Sequence, residues 1–137
     1  KKKSLLDVHQ SLLFWERINN LEIFSNTKNT LVRVVIPPSK CINLMKYLDH
    51  SYKYYIDWCG SLFWIEVSDM GEEKLLSIKN YITKLGGYLT VIKNSENSVP
   101  LKDIFTIDET RLNISKKIKE SFDPKGIFNP GKMYRSI

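Results

Sequence analysis

Asn129-Pro130-Gly131-Lys132 is the segment of this chain best equipped to act on a bound group. Pro130-Gly131 suits the central positions of a type II turn, and Asn129, standing before a proline, is expected in extended geometry. Lys132 then leaves the turn at a defined angle beside the amide of Asn129. Such a turn can be a rigid structural terminus. It can equally set fixed donors and a cation at the edge of an electron-accepting ring, where negative charge builds on reduction.

Two further positions carry chemistry. Arg33 interrupts an apolar run, Thr30-Leu31-Val32-Arg33-Val34-Val35-Ile36, and alternation puts it on the face opposite Val32 and Val34. There it is either a solvated surface residue or a guanidinium that holds a carboxylate through two parallel hydrogen bonds. Asp57-Trp58-Cys59-Gly60 joins two strand-like runs. It reads as a turn with Asp57 bonding the backbone, or as a loop tip offered to a ligand or another domain. The chain shows no Gly-x-Ser-x-Gly, no phosphate-cradling glycine loop and no His-Asp-Ser set. Cys41 and Cys59 lack metal-ligand spacing and read as reduced thiols, and His9 and His50 stand apart from them, so no zinc or iron site is expected.

The elements that must position these residues follow from periodicity. Leu5, Val8, Leu12 and Trp15 recur at helical spacing, with Ser4 as the expected cap and Asp7 returning the bond, so residues 5–18 predict an amphipathic helix. Residues 30–36 predict a strand that Pro37-Pro38 stops. Ser39 then caps a short helix carrying Cys41, Met45 and Leu48 on one face. Residues 54–58 and 62–67 predict a hairpin, and Asp69-Met70-Gly71 breaks the chain after it. Residues 72–85 predict a helix with a stripe of Leu75, Ile78, Ile82 and Leu85, ended by Gly86-Gly87. Residues 88–92 predict a strand, residues 94–97 a polar loop, and residues 108–122 a last helix with Ile114, Ile118 and Phe122 stacked four apart.

The order from residue 30 is β-α-β-β-α-β. That is the α+β, ferredoxin-like split arrangement, an antiparallel sheet with extra N- and C-terminal helices. At 137 residues the chain is expected to form one domain, with 42% apolar and 26% charged residues in the ordinary globular range. No apolar run is long enough to cross a bilayer. The net charge of +6 comes from scattered lysines and is a weak functional signal.

The stretch Phe122-Asp123-Pro124-Lys125-Gly126-Ile127-Phe128-Asn129-Pro130-Gly131-Lys132-Met133-Tyr134 packs two prolines and two glycines into eight residues among large apolar side chains. It predicts a shaped, docked terminus, and it resembles the C-terminal signature of FAD-linked oxidases of the vanillyl-alcohol-oxidase type. Leu31-Val32-Arg33 with Pro37-Pro38, then Asp57-Trp58-Cys59-Gly60 with Trp64, then Gly86-Gly87-Tyr88-Leu89-Thr90 follow in the order of one branch, the FAD-binding E subunits of glycolate oxidases. Two positions depart from that pattern. Cys59 stands where the branch has the first of two glycines, and Tyr88 where a histidine is usual.

The resemblance implies that residues 1–137 form a cap domain. An upstream domain of the same subunit would bind most of the FAD, so this chain alone is not expected to be active. Asn129, Gly131 and Lys132 become the flavin-contacting candidates, and Arg33, Asp57 and Trp58 the pocket candidates. A small 2-hydroxy acid would be the substrate, and a second flavin subunit and an iron–sulfur subunit the partners. The complex would be cytoplasmic, peripheral to the inner membrane, with no nucleic acid partner. The alternative is a non-enzymatic module that binds nucleic acid. It would use Tyr52, Tyr54, Tyr55, Trp58, Phe63 and Trp64 as a stacking platform on a basic sheet face.

Overall fold

The computed structural model describes residues 5–48, 50, 52–67, 72–95, 104–132 and 134. Four strands form one sheet: β1 (Thr30–Val35), β2 (Lys53–Asp57), β3 (Leu62–Val67) and β4 (Tyr88–Lys93). Their order across the sheet is β2-β3-β1-β4, and each neighbouring pair is antiparallel. With α2 (Cys41–Leu48) after β1 and α3 (Glu72–Lys84) after β3, this is the expected ferredoxin-like α+β fold.

Alternation along the strands divides the sheet into two faces. Val32, Val34, Phe63, Ile65 and Leu89 pack against Leu44 and Leu48 of α2 and Leu75, Ile78 and Ile82 of α3, all of them buried. Arg33, Tyr55, Trp64 and Thr90 share the other face, because register places Tyr55 opposite Trp64, and Arg33 opposite both Trp64 and Thr90. The six aromatics expected as one platform are therefore split. Phe63 is fully buried and Tyr54 packs against the core on the helix side, whereas Tyr55 and Trp64 belong to the open face.

Helix α3 ends in a Schellman motif. Gly86 donates to the Thr83 carbonyl and Gly87 to the Ile82 carbonyl, each at 2.9 Å, with Gly86 at φ 77°. The glycine pair is a helix stop, as its place after the helix implied.

Other starts differ from expectation. Helix α1 (Val8–Asn19) is capped by Asp7, which accepts from the Gln10 amide at 2.8 Å while Gln10 accepts from Asp7. The box thus sits one turn later than expected, and Ser4 lies outside the described residues. Ser39 is not a cap either. It lies inside a 3-10 turn, Pro38–Lys40, that runs directly into α2, since Pro38 supplies a ready-made first-turn φ. The expected break at 69–71 also falls outside the described residues.

Helix α1 and the last helix, α4 (Glu109–Phe122), form as predicted, but neither buries a residue. Trp15, Ile114, Ile118 and Phe122 are all more than half exposed. Their apolar stripes are amphipathic in pattern yet face away from this core.

Candidate functional site

The open face is built around Arg33. Its guanidinium carbon lies 5.4 Å from the centroid of the Trp58 ring, so the structure joins two residues that are 25 apart in sequence. Trp58 does not continue β2 as expected. It leaves the strand into a 3-10 turn, Trp58–Gly60, held by Asp57, whose carboxylate accepts the Trp58 amide at 2.7 Å. A Cβ on Gly60 would meet Cys41 Sγ at 2.9 Å, so the bare glycine lets the turn sit directly on the start of α2. Asp57 also acts on Tyr55. Burial first, then the Asp57 carboxylate, pushes the Tyr55 hydroxyl above its ordinary range.

The turn holds Trp58 at φ 50°, Cys59 at φ 52° and Gly60 at φ 90°. Left-handed backbone costs a residue with a Cβ about 1–2 kcal/mol, part of which glycine returns through its freer unfolded chain. Cys59→Gly is therefore expected to stabilise the protein by about 0.5–1 kcal/mol net. Denaturant midpoints check this, and a lower midpoint would show that the Cys59 side chain contributes more than the strain costs.

Two elements border the open face. At the β2 edge, Lys53 donates to the Ile23 carbonyl at 2.6 Å and rests 5.3 Å from the Phe24 ring, which ties the 3-10 turn Glu22–Phe24 and α1 to the sheet. A groove of about 470 Å³ lies there between Phe14, Ile18, Ile23 and Tyr55. At the β4 edge, residues 104–106 run as a short extra rung. Val91 donates to the Ile104 carbonyl and Thr106 to the Leu89 carbonyl, both at 2.9 Å, with Phe105 bridged to Thr90. The Tyr134 ring packs 6.0 Å from Phe105. A chain of neighbours, Arg33–Thr90–Phe105–Tyr134, thus links the open face to the C-terminal tail.

The tail is organised by a residue that sequence reasoning did not nominate. Asp123, 8% exposed, caps the end of α4 and accepts the amides of both Ile127 and Phe128 at 2.9 Å. Lys119, one helical turn earlier, donates to the Asp123 carboxylate and to the Phe128 carbonyl. The Lys119 ammonium, then the two amides, hold the Asp123 carboxyl at about 2, well below the ordinary 3.8. The signal was present in the sequence: an Asp immediately before Pro-x-Gly is the residue type that nucleates such a turn. Gly126, at φ 62°, closes it by donating to the Asp123 carbonyl at 2.9 Å.

Beyond it, Lys132 donates to the Asn129 carbonyl at 3.3 Å across Pro130-Gly131, with Gly131 at φ 67°. This is the expected turn closure. Asn129, however, is at φ 46° and not extended, because asparagine tolerates left-handed backbone better than other residues with a Cβ. Ile127 and Phe128 are 66% and 69% exposed. The terminus is shaped, as predicted, but Ile127 and Phe128 are not docked on this chain. Backbone hydrogen bonds to Asp123 hold that part of the tail, while Tyr134 further on packs against Phe105. Between α4 and the tail runs a groove of about 610 Å³, walled by Ile118, Phe122 and Phe128 and rimmed by Asn129, Lys119 and Tyr134. Met133 lies outside the described residues.

The nominated residues therefore form two groups, Arg33 with Asp57 and Trp58, and Asn129 with Gly131 and Lys132. Among the described residues no cluster of three or more His, Cys, Asp or Glu could hold a metal, and no helix is long and apolar enough to cross a membrane.

The Asp123-bound tail lies in the part of the chain that resembles a known family. Residues 105–133 match the family model described as FAD linked oxidases, C-terminal domain. Over 125 residues it is 22% identical to the glycolate oxidase subunit GlcE of Escherichia coli (strain K12), covering 90% of this chain and 32% of that subunit. The chain thus spans about a third of the length of the curated relative it matches. No solved structure matches it significantly.

Proposed function

We propose that this chain is the cap of an FAD-dependent 2-hydroxy-acid oxidoreductase subunit, and that it roofs a flavin held mainly by an upstream domain. The observation that carries this reading is the tail. Asp123 fixes it, and it offers Asn129 at the rim of an apolar groove, with Gly131 and Lys132 following in the turn that Asn129 opens. An apolar wall with an amide at its rim, and a lysine next in the turn, suits the edge of an isoalloxazine ring.

Bound flavin would supply a two-electron acceptor. Asn129 and Lys132 would hold the edge where negative charge develops. Arg33 would take the substrate carboxylate through paired hydrogen bonds, kept in place by the Trp58 ring whose turn Asp57 fixes. Oxidation removes the α-hydrogen with its electron pair and the hydroxyl proton, and the product is the 2-oxo acid. The apolar stripes of α1 and α4 would meet the upstream domain and companion subunits, in line with the relative's name as an oxidase subunit.

Lys132 supplies the test. In the full-length flavoprotein, Lys132→Met is expected to lower the flavin midpoint potential by about 20 mV, which for a two-electron couple is roughly 1 kcal/mol. Substrate should also reduce the flavin more slowly. An unchanged potential would remove Lys132 from the flavin edge and leave the chain an assembly element.

A further inference from the structure

The two edges of the sheet are treated differently. Beyond β4, residues 104–106 add a rung, with Val91 donating to the Ile104 carbonyl and Thr106 to the Leu89 carbonyl. The opposite edge is β2, whose strand partner is β3. Among the described residues no backbone group bonds β2 from its outer side. Its outward amides and carbonyls are a template on which a further strand can pair.

The residues of β2, Lys53-Tyr54-Tyr55-Ile56-Asp57, favour one partner. Laid antiparallel to itself about a two-fold axis at Tyr55, this strand puts Lys53 opposite Asp57 at both ends and Tyr54 opposite Ile56 twice. Opposite charges facing each other across a strand pair stabilise it. Moving the axis to Tyr54 or Ile56 loses both charge pairs. In an antiparallel strand the outward bonding groups belong to every second residue. An axis at Tyr55 matches odd positions with odd and even with even, so whichever set points outward meets its own counterpart. The faces match as well. Tyr54 and Ile56, which pack against the core, continue the helix side, and Tyr55 meets its copy on the open face.

The charged ends can make these pairs. Lys53 donates to the Ile23 carbonyl at 2.6 Å and lies 3.6 Å from the Glu66 carboxylate, and an ammonium has three protons to give. Asp57 accepts the Trp58 amide, and a carboxylate accepts at about four sites. Beside the edge, Phe14 and Ile23 stay half exposed around the groove that Tyr55 also lines. The two-fold axis would set one such groove on either side of the joined strands, adding apolar surface to an interface that needs roughly 1,200 Å² or more.

We propose that β2 is a self-pairing edge and that its partner is a second copy of this chain. The result is an isologous dimer with one continuous antiparallel sheet of eight strands. The proposal goes beyond the flavin reading and does not depend on it.

The experiment uses the full-length protein without companion subunits. Analytical ultracentrifugation should find a dimer at about 100 µM that dissociates towards about 1 µM. Lys53→Glu sets like charges opposite Asp57 and should weaken the dimer about 10-fold or more. Because Lys53 also holds Ile23, disulfide trapping gives a second readout in a Cys59→Ser background. Tyr55→Cys places two Cβ atoms about 5 Å apart at the axis, and mild oxidation should link the copies. Lys53→Cys lies about 14 Å from its counterpart and should not link, nor should the Cys59→Ser parent. A protein that is monomeric at about 100 µM overturns the proposal, whether β2 is then bare or covered by an upstream segment. So does a dimer that Tyr55→Cys fails to link, or that Lys53→Cys links equally well.

Discussion

Gly87→Ala is expected to destabilise the protein by about 3 kcal/mol and to lower its thermal midpoint by roughly 10 °C. Gly87 sits where α3 ends and β4 begins, and its space is already full. A Cβ there would lie 2.5 Å from Ile36 Cγ2, 2.6 Å from the Val35 carbonyl oxygen and 3.1 Å from Ile82 Cγ2. A side-chain methyl can turn aside, but the Val35 carbonyl belongs to the central strand β1 and cannot move alone. The chain must then separate β4 from β1 or lift the end of α3 from the core. Either loosens contacts around Ile36 and Ile82, both buried. Tyr88 follows Gly87 and pairs with Val35, so the same shift disturbs the open face. Thermal or denaturant unfolding followed by circular dichroism checks the prediction. A midpoint within about 3 °C of the parent would show that the junction has room that the geometry denies.

Asp123→Asn should release the tail without unfolding the sheet. One carboxylate receives the Ile127 and Phe128 amides and the Lys119 ammonium. An amide of the same size has only one acceptor oxygen and no charge for Lys119. On the proposed cap reading, displacement of a positioning turn by about 1 Å in the full-length protein is enough to cost about 100-fold in rate. We expect that loss in flavin reduction, while the sheet's thermal midpoint shifts by no more than about 2 °C. A variant with parental rates would show that the tail does not position anything at the flavin.

The same group predicts a pH response. Its folded value, about 2, lies below its ordinary 3.8, so its contribution is complete above about pH 4 and fades as pH falls through about 2. Between pH 5 and pH 8 this residue should leave the tail unaffected. The Ile127 and Phe128 amide resonances should titrate with a midpoint near 2. A midpoint near 4 would mean that the carboxylate is not held.

Much of the fold could be read from residue order. Thr30–Val35, with its β-branched run and single Arg33, had to be a strand with one polar side chain opposite its core face. The Leu75, Ile78 and Ile82 stripe and Gly86-Gly87 marked α3 and its end, because helix period and glycine caps act over short distances. The Pro-Gly turn at residue 131 was equally local. These features depend on near neighbours along the chain, and the sequence by itself determines them.

Contacts between distant residues were decided only in three dimensions. The aromatic residues of β2 and β3 looked like one platform, but the period of two along a strand sends Phe63 and Tyr54 to the core and leaves Trp64 and Tyr55 outside. Arg33 found Trp58 because the hairpin turn departs from the strand into left-handed backbone, which no propensity would assign to tryptophan or cysteine. Arg111 reached Tyr88 because α4 returns to the β4 edge. Asp123 became the anchor of the tail because the chain doubles back on it within five residues. Even the apolar stripes of α1 and α4 were visible as patterns, while their exposure was not. Periodicity tells which side of a helix seeks apolar company; only the packed structure tells whether this chain provides it.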